Sequence, residues 1–172
     1  MQEAENTTKE AAIDGNNMLC AFDLRLGNIL LIDNEKHHPE IKNIPMVVKS
    51  ISRNYWQGEG YILYCELDKL SPEKYDWKNY SQTIKFLKPI EITKEWLIRL
   101  GFIIDKENII YIDAFPEGTP SQRFTIEFVN DKILLISRYQ TWNDNFIIRH
   151  IKYIHQVQNL FYAVTGRELI CT

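Results

Sequence analysis

Ile151-Lys152-Tyr153-Ile154-His155-Gln156-Val157-Gln158-Asn159-Leu160-Phe161-Tyr162-Ala163-Val164-Thr165-Gly166, close to the C-terminal end of a 172-residue chain, is the stretch on which the fold turns. Ile151, Ile154, Val157, Phe161 and Val164 recur at spacings of three and four, which puts them on one side of a helix. Tyr153 and Leu160 widen that side. Thr165-Gly166 is a stop signal, because glycine accepts the left-handed conformation that ends helices. The pattern predicts one amphipathic helix beginning near residues 149–151. Glu168-Leu169-Ile170-Cys171 is then expected to add as a short edge strand. A helix with one apolar face needs a partner layer, and the segments before it supply strands.

Working backwards, Ile109–Phe115, Arg123–Val129, Lys132–Arg138 and Phe146–Ile148 are the expected strands of that layer. Asn130-Asp131 is a tight hairpin connection. Pro116–Pro120 and Trp142–Asn145 read as loops. Before them lies a short helix. Thr93 is its N-cap, Glu95 sits where the helix dipole favours an anion, Trp96, Leu97 and Leu100 form its apolar face, and Gly101 ends it.

Residues 24 to 88 read as β. Leu24 to Ile32 is an apolar strand interrupted by Gly27-Asn28, a bulge or turn signal. A polar loop runs from Asn34 to Asn43. Pro45 opens a second strand, Met46–Ser52. Gln57-Gly58-Glu59-Gly60 is a turn, and Tyr61–Leu67 alternates as a third strand. Glu73 to Ser81 is a connection. Thr83–Leu87 is the fourth strand, with Pro89–Ile92 extending it. Short strands with glycine turns favour a small SH3-like β barrel or a curled antiparallel sheet.

The expected class is therefore α+β, in three parts. Residues 1–21 are an acidic, disordered leader, residues 22–88 the barrel-like region, and residues 89–172 the α+β region with the C-terminal helix. No linker rich in Gly, Ser or Pro divides the last two, so they are expected to share one core or a tight interface.

Composition narrows the function classes. Hydrophobic residues make up 45% of the chain, enough for a core, and the net charge of -3 argues against bulk electrostatic capture of nucleic acid. Cys20, Cys65 and Cys171 form no CxxC pair, and their odd number fits a disulfide framework poorly. They read as reduced thiols in a cytoplasm. No run of 18 apolar residues exists and no h-region marks the N-terminus, so neither a membrane span nor a secretory signal is expected.

Two phrases carry a resemblance. One is Ile92-Thr93-Lys94-Glu95-Trp96-Leu97-Ile98-Arg99-Leu100-Gly101-Phe102. The other runs from Ile151 to Leu169. With the start Leu24-Arg25-Leu26-Gly27-Asn28, they resemble a group of short uncharacterised proteins encoded by phages and mobile elements of gut bacteria. The resemblance implies a genomic setting and a bacterial host cytoplasm. It brings no activity, substrate or catalytic residue. The acidic leader falls outside it, which implies that residues 1–20 are dispensable.

Each candidate site has a plainer reading beside it. Tyr55, Trp56, Tyr61 and Tyr64, with Arg53 and Lys49 nearby, are the best candidate, because small barrels bind single strands or peptides on aromatic platforms with flanking cations. The plainer reading is lateral packing on the sheet. His155, Gln156, Gln158 and Asn159, with Tyr162, are expected to form a polar stripe opposite the core face. That stripe is either a recognition surface or simply solvated. His150 and His155 lie about 140° apart on an ideal helix, a poor metal pair. His37-His38 lacks companion ligands. Asp113 and Glu127 faintly suggest a metal-dependent nuclease, but Val129 stands where its lysine belongs. No nucleophile elbow, GxGxxG or Walker pattern is present. The expectation is a non-enzymatic binding or accessory protein with no cofactor or metal. Its partner is a protein or a nucleic acid, it has no membrane association, and a homo-oligomer is left open. Two alternatives stand beside it: a small anti-defence hydrolase using His150, His155, Asp113 and Glu127, or a virion assembly protein.

Overall fold

The computed structural model describes residues 19, 23–37, 39–56, 60–70, 80–113, 123–129, 132–138, 146–148 and 151–171. The expected leader, residue 19 aside, and the turns at 57–59, 116–120, 130–131 and 142–145 lie outside them.

Four apolar residues in succession leave a strand no polar side, so both of its faces must be covered. β1 (Ile29–Ile32) meets that condition. Leu30 and Ile32 join Leu24, Ile41, Met46, Val48, Cys65, Leu67 and Leu87 in one core. Ile29 enters a second core instead, with Leu31 packed against it. The strand is shorter than its sequence signal. Gly27 at φ +85° and the bond from Asn28 N to Arg25 O close a turn, so Leu24 to Asn28 lead into β1 without joining it.

β1 pairs antiparallel with β2 (Pro45–Trp56), which pairs with β3 (Gly60–Lys69). β4 (Tyr80–Thr83) lies beyond β3, and β5 (Leu87–Pro89) lies on the far side of β1. The single strand expected at Thr83–Leu87 is thus two strands on opposite edges of one sheet. A 3-10 turn at Ile84–Phe86 joins them, with Leu87 N bonded back to Ile84 O. That connection fixes the curvature. Thr83 and Leu87 are four residues apart, so they reach at most about 14 Å. The edges of a flat five-stranded sheet would lie ~19 Å apart. The sheet must therefore curl until its edges approach. β4 and β5 are not paired with each other among the described residues, so the curl stops short of closure.

α1 (Lys94–Arg99) follows its signals. Thr93 Oγ1 accepts from Trp96 N at 3.3 Å, Leu97 and Leu100 are buried, and Gly101 has φ +88°. β6 (Ile103–Ile104), too short to announce itself, pairs with β7 (Ile110–Asp113). Asp105 builds the turn between them, its carboxylate accepting from Glu107 N and Ile109 N at 2.9 Å each. β8 (Arg123–Val129), β9 (Lys132–Arg138) and β10 (Phe146–Ile148) complete a second antiparallel sheet in simple up-and-down order. The fold is mixed α and β, with two antiparallel sheets and a C-terminal helix.

α2 (Ile154–Thr165) starts at Tyr153, where Gln156 Oε1 accepts from both Tyr153 N and Lys152 N. It stops at Gly166, φ +70°. Backbone bonds from Ile92 N to Lys152 O and from Ile154 N to Ile90 O tie its entry to the segment after β5. Ile154, Val157 and Phe161 pack with Ile110, Phe124 and Ile126 of the second sheet, and the same core takes in Ile29 of β1. Phe124 and Phe161 meet edge-to-face, ring centroids 5.4 Å apart. α2 is therefore covered from two directions. Three expectations change. The helix begins at Ile154 and not near 149–151, so Ile151 and Tyr153 lead into it. Val164 lies at the exposed rim, outside the core. Residues 168–171 form no strand, although Leu169 is buried.

Candidate functional site

The polar residues of α2 do not face outward as a stripe. His155 is 2% exposed and Gln158 is 1% exposed. Gln158 is four residues after Ile154 and three before Phe161, so helical spacing places it in the middle of the buried arc. Its side chain serves the backbone of β1 and its neighbours. Oε1 accepts from Ile29 N at 3.0 Å, while Nε2 donates to Gly27 O at 3.0 Å and Leu169 O at 3.3 Å. Asn159 continues the link, its Oδ1 accepting from Asn28 Nδ2 at 2.9 Å and its Nδ2 donating to Asp23 O. Arg25 stacks 3.5 Å from the centre of the Tyr162 ring and pairs with Glu168 at 3.2 Å. These residues form a polar latch from residues 23–29 to the last helix and tail.

His155 stacks on Tyr153, ring centroids 5.8 Å apart, and its buried Nδ1 has no hydrogen-bond partner. Burial pushes its imidazole down from 6.5 to about 4, against an upward pull from Asp23. It is a neutral core histidine at physiological pH. Cys65 is fully buried, and burial pushes its thiol up to about 11, which suits an inert core residue.

The aromatic set on the first sheet lies differently. β4 reaches only the Tyr64–Leu67 part of β3, and β1 reaches only the Pro45–Val47 part of β2. Among the described residues the remaining rungs, Arg53↔Leu63, Asn54↔Ile62, Tyr55↔Tyr61 and Trp56↔Gly60, pair β2 with β3 and with no third strand. Four rungs extend the pair about 13 Å beyond its neighbours. Residues 51 to 55 are exposed on both faces of the ribbon, and Tyr55 is 67% exposed. A register shift between Val48 and Ser50 marks where the ribbon leaves the body, as bulges bend and twist a strand. Lys49 stands at this base, paired with Asp68 at 3.0 Å. Tyr64, also near the base, is half-buried. The side chains of Trp56 and Tyr61 lie outside the described part of the structure. Thus Arg53, Tyr55, Trp56 and Tyr61 share one projecting arm by register. His155, Gln158, Asn159 and Tyr162 belong to the latch on α2.

The hydrolase set is not assembled among the described residues. His155 is buried, and Asp113 pairs with Arg123 at 3.7 Å. His150 and the side chain of Glu127 lie outside the described part. No group of three or more His, Cys, Asp or Glu side chains that could hold a metal occurs among the described residues. No described helix is long and apolar enough to cross a membrane. No family model, curated protein or solved structure matches the chain.

The signal for the latch was present in the sequence. Gln158 shares its helical face with Ile154 and Phe161, and an amide on such a face must find partners inside the protein. The signal for the arm was weaker, since only strand pairing reveals where β2 and β3 outrun their neighbours.

Proposed function

We propose that the chain is a non-enzymatic binding module whose contact element is the β2–β3 arm, and that it serves a phage or mobile element inside a bacterial host. One observation carries this reading: residues 51–55 of β2, Arg53 and Tyr55 among them, are exposed where the strand runs past its described neighbours. An isolated two-stranded hairpin is only marginally stable in water. Extending one beyond its sheet adds little to folding, so its use lies in what it touches. Aromatic and guanidinium side chains suit stacking on bases or on a partner's apolar side chains. The strand order of the first sheet, with a 3-10 turn between β4 and β5, supports reading that half as an SH3-like barrel. The phage setting rests on the sequence resemblance.

The partner is a protein or a nucleic acid that meets the arm locally. The test compares the wild-type chain with an Arg53→Ala/Tyr55→Ala variant, by fluorescence anisotropy on single-stranded oligonucleotides and by pull-down from host lysate. Specific binding that the variant loses supports the reading. If the wild-type chain captures nothing specific in both assays, or the variant binds equally well, the arm is not the contact element.

A further inference from the structure

We infer that one end of the second sheet is an oxyanion site, built on Arg123 and Arg138 and suited to a phosphate group. Strand register sets it out. Asp113 of β7 lies opposite Arg123 of β8, and Arg123 lies opposite Arg138 of β9. Directly paired residues share one face of a sheet. A single rung therefore carries one acid and two bases. Like charges at directly opposed positions destabilise a sheet, and Asp113 offsets only one of the two.

Arg123 is held ready for a ligand. Its guanidinium lies 4.2 Å from the centre of the Tyr111 ring, and its Nε is 3.7 Å from Asp113 Oδ1. These contacts take the flat face and the inner nitrogen. The two terminal nitrogens make no hydrogen bond among the described residues, and the side chain is 45% exposed. That fork matches two oxygens of one phosphate. A third base comes from the tail, where Arg167 Nη1 donates to Asp113 O at 3.4 Å.

The neighbouring acids are committed or distant. Glu168, next to Arg167, pairs with Arg25 at 3.2 Å. Glu127 stands further along β8, four residues from Arg123 and so ~13 Å away along the strand. Three arginines against Asp113 leave two positive charges over, which a phosphate monoester dianion balances and a single carboxylate does not. The whole chain has a net charge of -3, so its overall field does not gather anions. Capture at this rung depends on local guanidinium geometry. The site lies on the second sheet, apart from the β2–β3 arm, and does not rest on the arm's role.

The phosphate belongs either to a small molecule or to a nucleic acid, and calorimetric titration of the full chain at low salt separates these. The probes are pyrophosphate and a 5′-phosphorylated single-stranded oligonucleotide. Saturable binding is expected. Arg123→Gln and Arg138→Gln each weaken it by about tenfold or more, as loss of a hydrogen bond to a charged group does, with circular dichroism unchanged. Arg123→Lys, which keeps the charge and loses the fork, weakens it too. Lys42→Gln, which removes the same charge from a side chain paired with Glu35, leaves it as it was. Tighter binding of the oligonucleotide assigns the phosphate to a nucleic acid; equal or weaker binding assigns it to a small molecule. A chain that binds neither probe overturns the proposal, as it would if Glu117 or Asp144, the acids of the two connections leaving this end, already neutralised the rung. So does binding that both arginine-to-glutamine variants leave intact, or that Lys42→Gln weakens equally.

Discussion

Replacing Gln158 with methionine removes the centre of the latch while keeping the volume of the side chain. The wild-type amide makes three hydrogen bonds, to Ile29 N, Gly27 O and Leu169 O. Ile29 and Leu169 are buried, and Gly27 is half-buried. A buried backbone group left without a partner costs about 1–3 kcal/mol. Two such groups and a partly wetted third bring the expected loss to roughly 3–5 kcal/mol. Methionine fills the space, so little of this is a cavity effect. For a chain of this length each kcal/mol moves the melting temperature by about 2–4 °C, so a fall on the order of 10 °C is expected. Urea denaturation gives the free energy, and amide exchange gives its location. The Ile29 amide, now unbonded, should lose protection before the rest of β1. A loss below about 1 kcal/mol, with the Ile29 amide still protected, refutes the reasoning, because the amide would then not be what satisfies that strand.

The remaining predictions are smaller. The unfolded chain binds a proton at His155 more readily than the fold does, since burial lowers the folded pKa from 6.5 to about 4. Stability from this residue is therefore complete above pH ~6.5 and declines as pH falls toward ~4, by about 3 kcal/mol in all; His155→Phe should flatten that part of the denaturation profile against pH. Gly101→Ala should cost about 1–2 kcal/mol in thermal melts, because φ is +88° while the new Cβ meets only Ile112 Cδ1 at 3.8 Å. Arg53→Ala/Tyr55→Ala should leave urea stability within about 0.5 kcal/mol, since both side chains are exposed, even where binding is lost.

Much of the fold was legible because its elements are short-range objects. Thr93 and Gly101 bracket α1 by local capping chemistry, and Gly166 ends α2 the same way. The alternation in Tyr61–Leu67 marks β3 without any knowledge of its partners. What was not legible depends on the meeting of distant segments. The stretch Thr83–Leu87 looks like one strand, since β-rich residues continue through it. Only the sheet's two edges, on β3 and β1, demand that it break at Ile84–Phe86. Likewise, Leu169 and Ile170 alternate like an edge strand, yet no strand pairs with them among the described residues. Burial of Leu169 and the bond from Gln158 hold that tail instead.

The same distinction separates the two candidate sites. On α2, periodicity sorted residues by polarity and set Gln158 and Asn159 against the apolar side. Geometry sorts them by angle, and angle puts Gln158 between Ile154 and Phe161. A single-faced helix on one sheet would have left the amide stripe wet. α2 has a second neighbour in β1, whose leading turn exposes backbone groups that need partners: Gly27 O, Ile29 N and Asp23 O. The polar residues of the C-terminal phrase and the Leu24–Asn28 start therefore answer each other inside one chain. Much of the patterning in those phrases is accounted for by folding, which removes it as evidence for a ligand at the latch. The arm is the contrasting case: β2 and β3 run past the strands paired with them among the described residues, and Arg53 and Tyr55 are exposed there. A partner's imprint is to be sought on that exposed arm, and not at the buried latch.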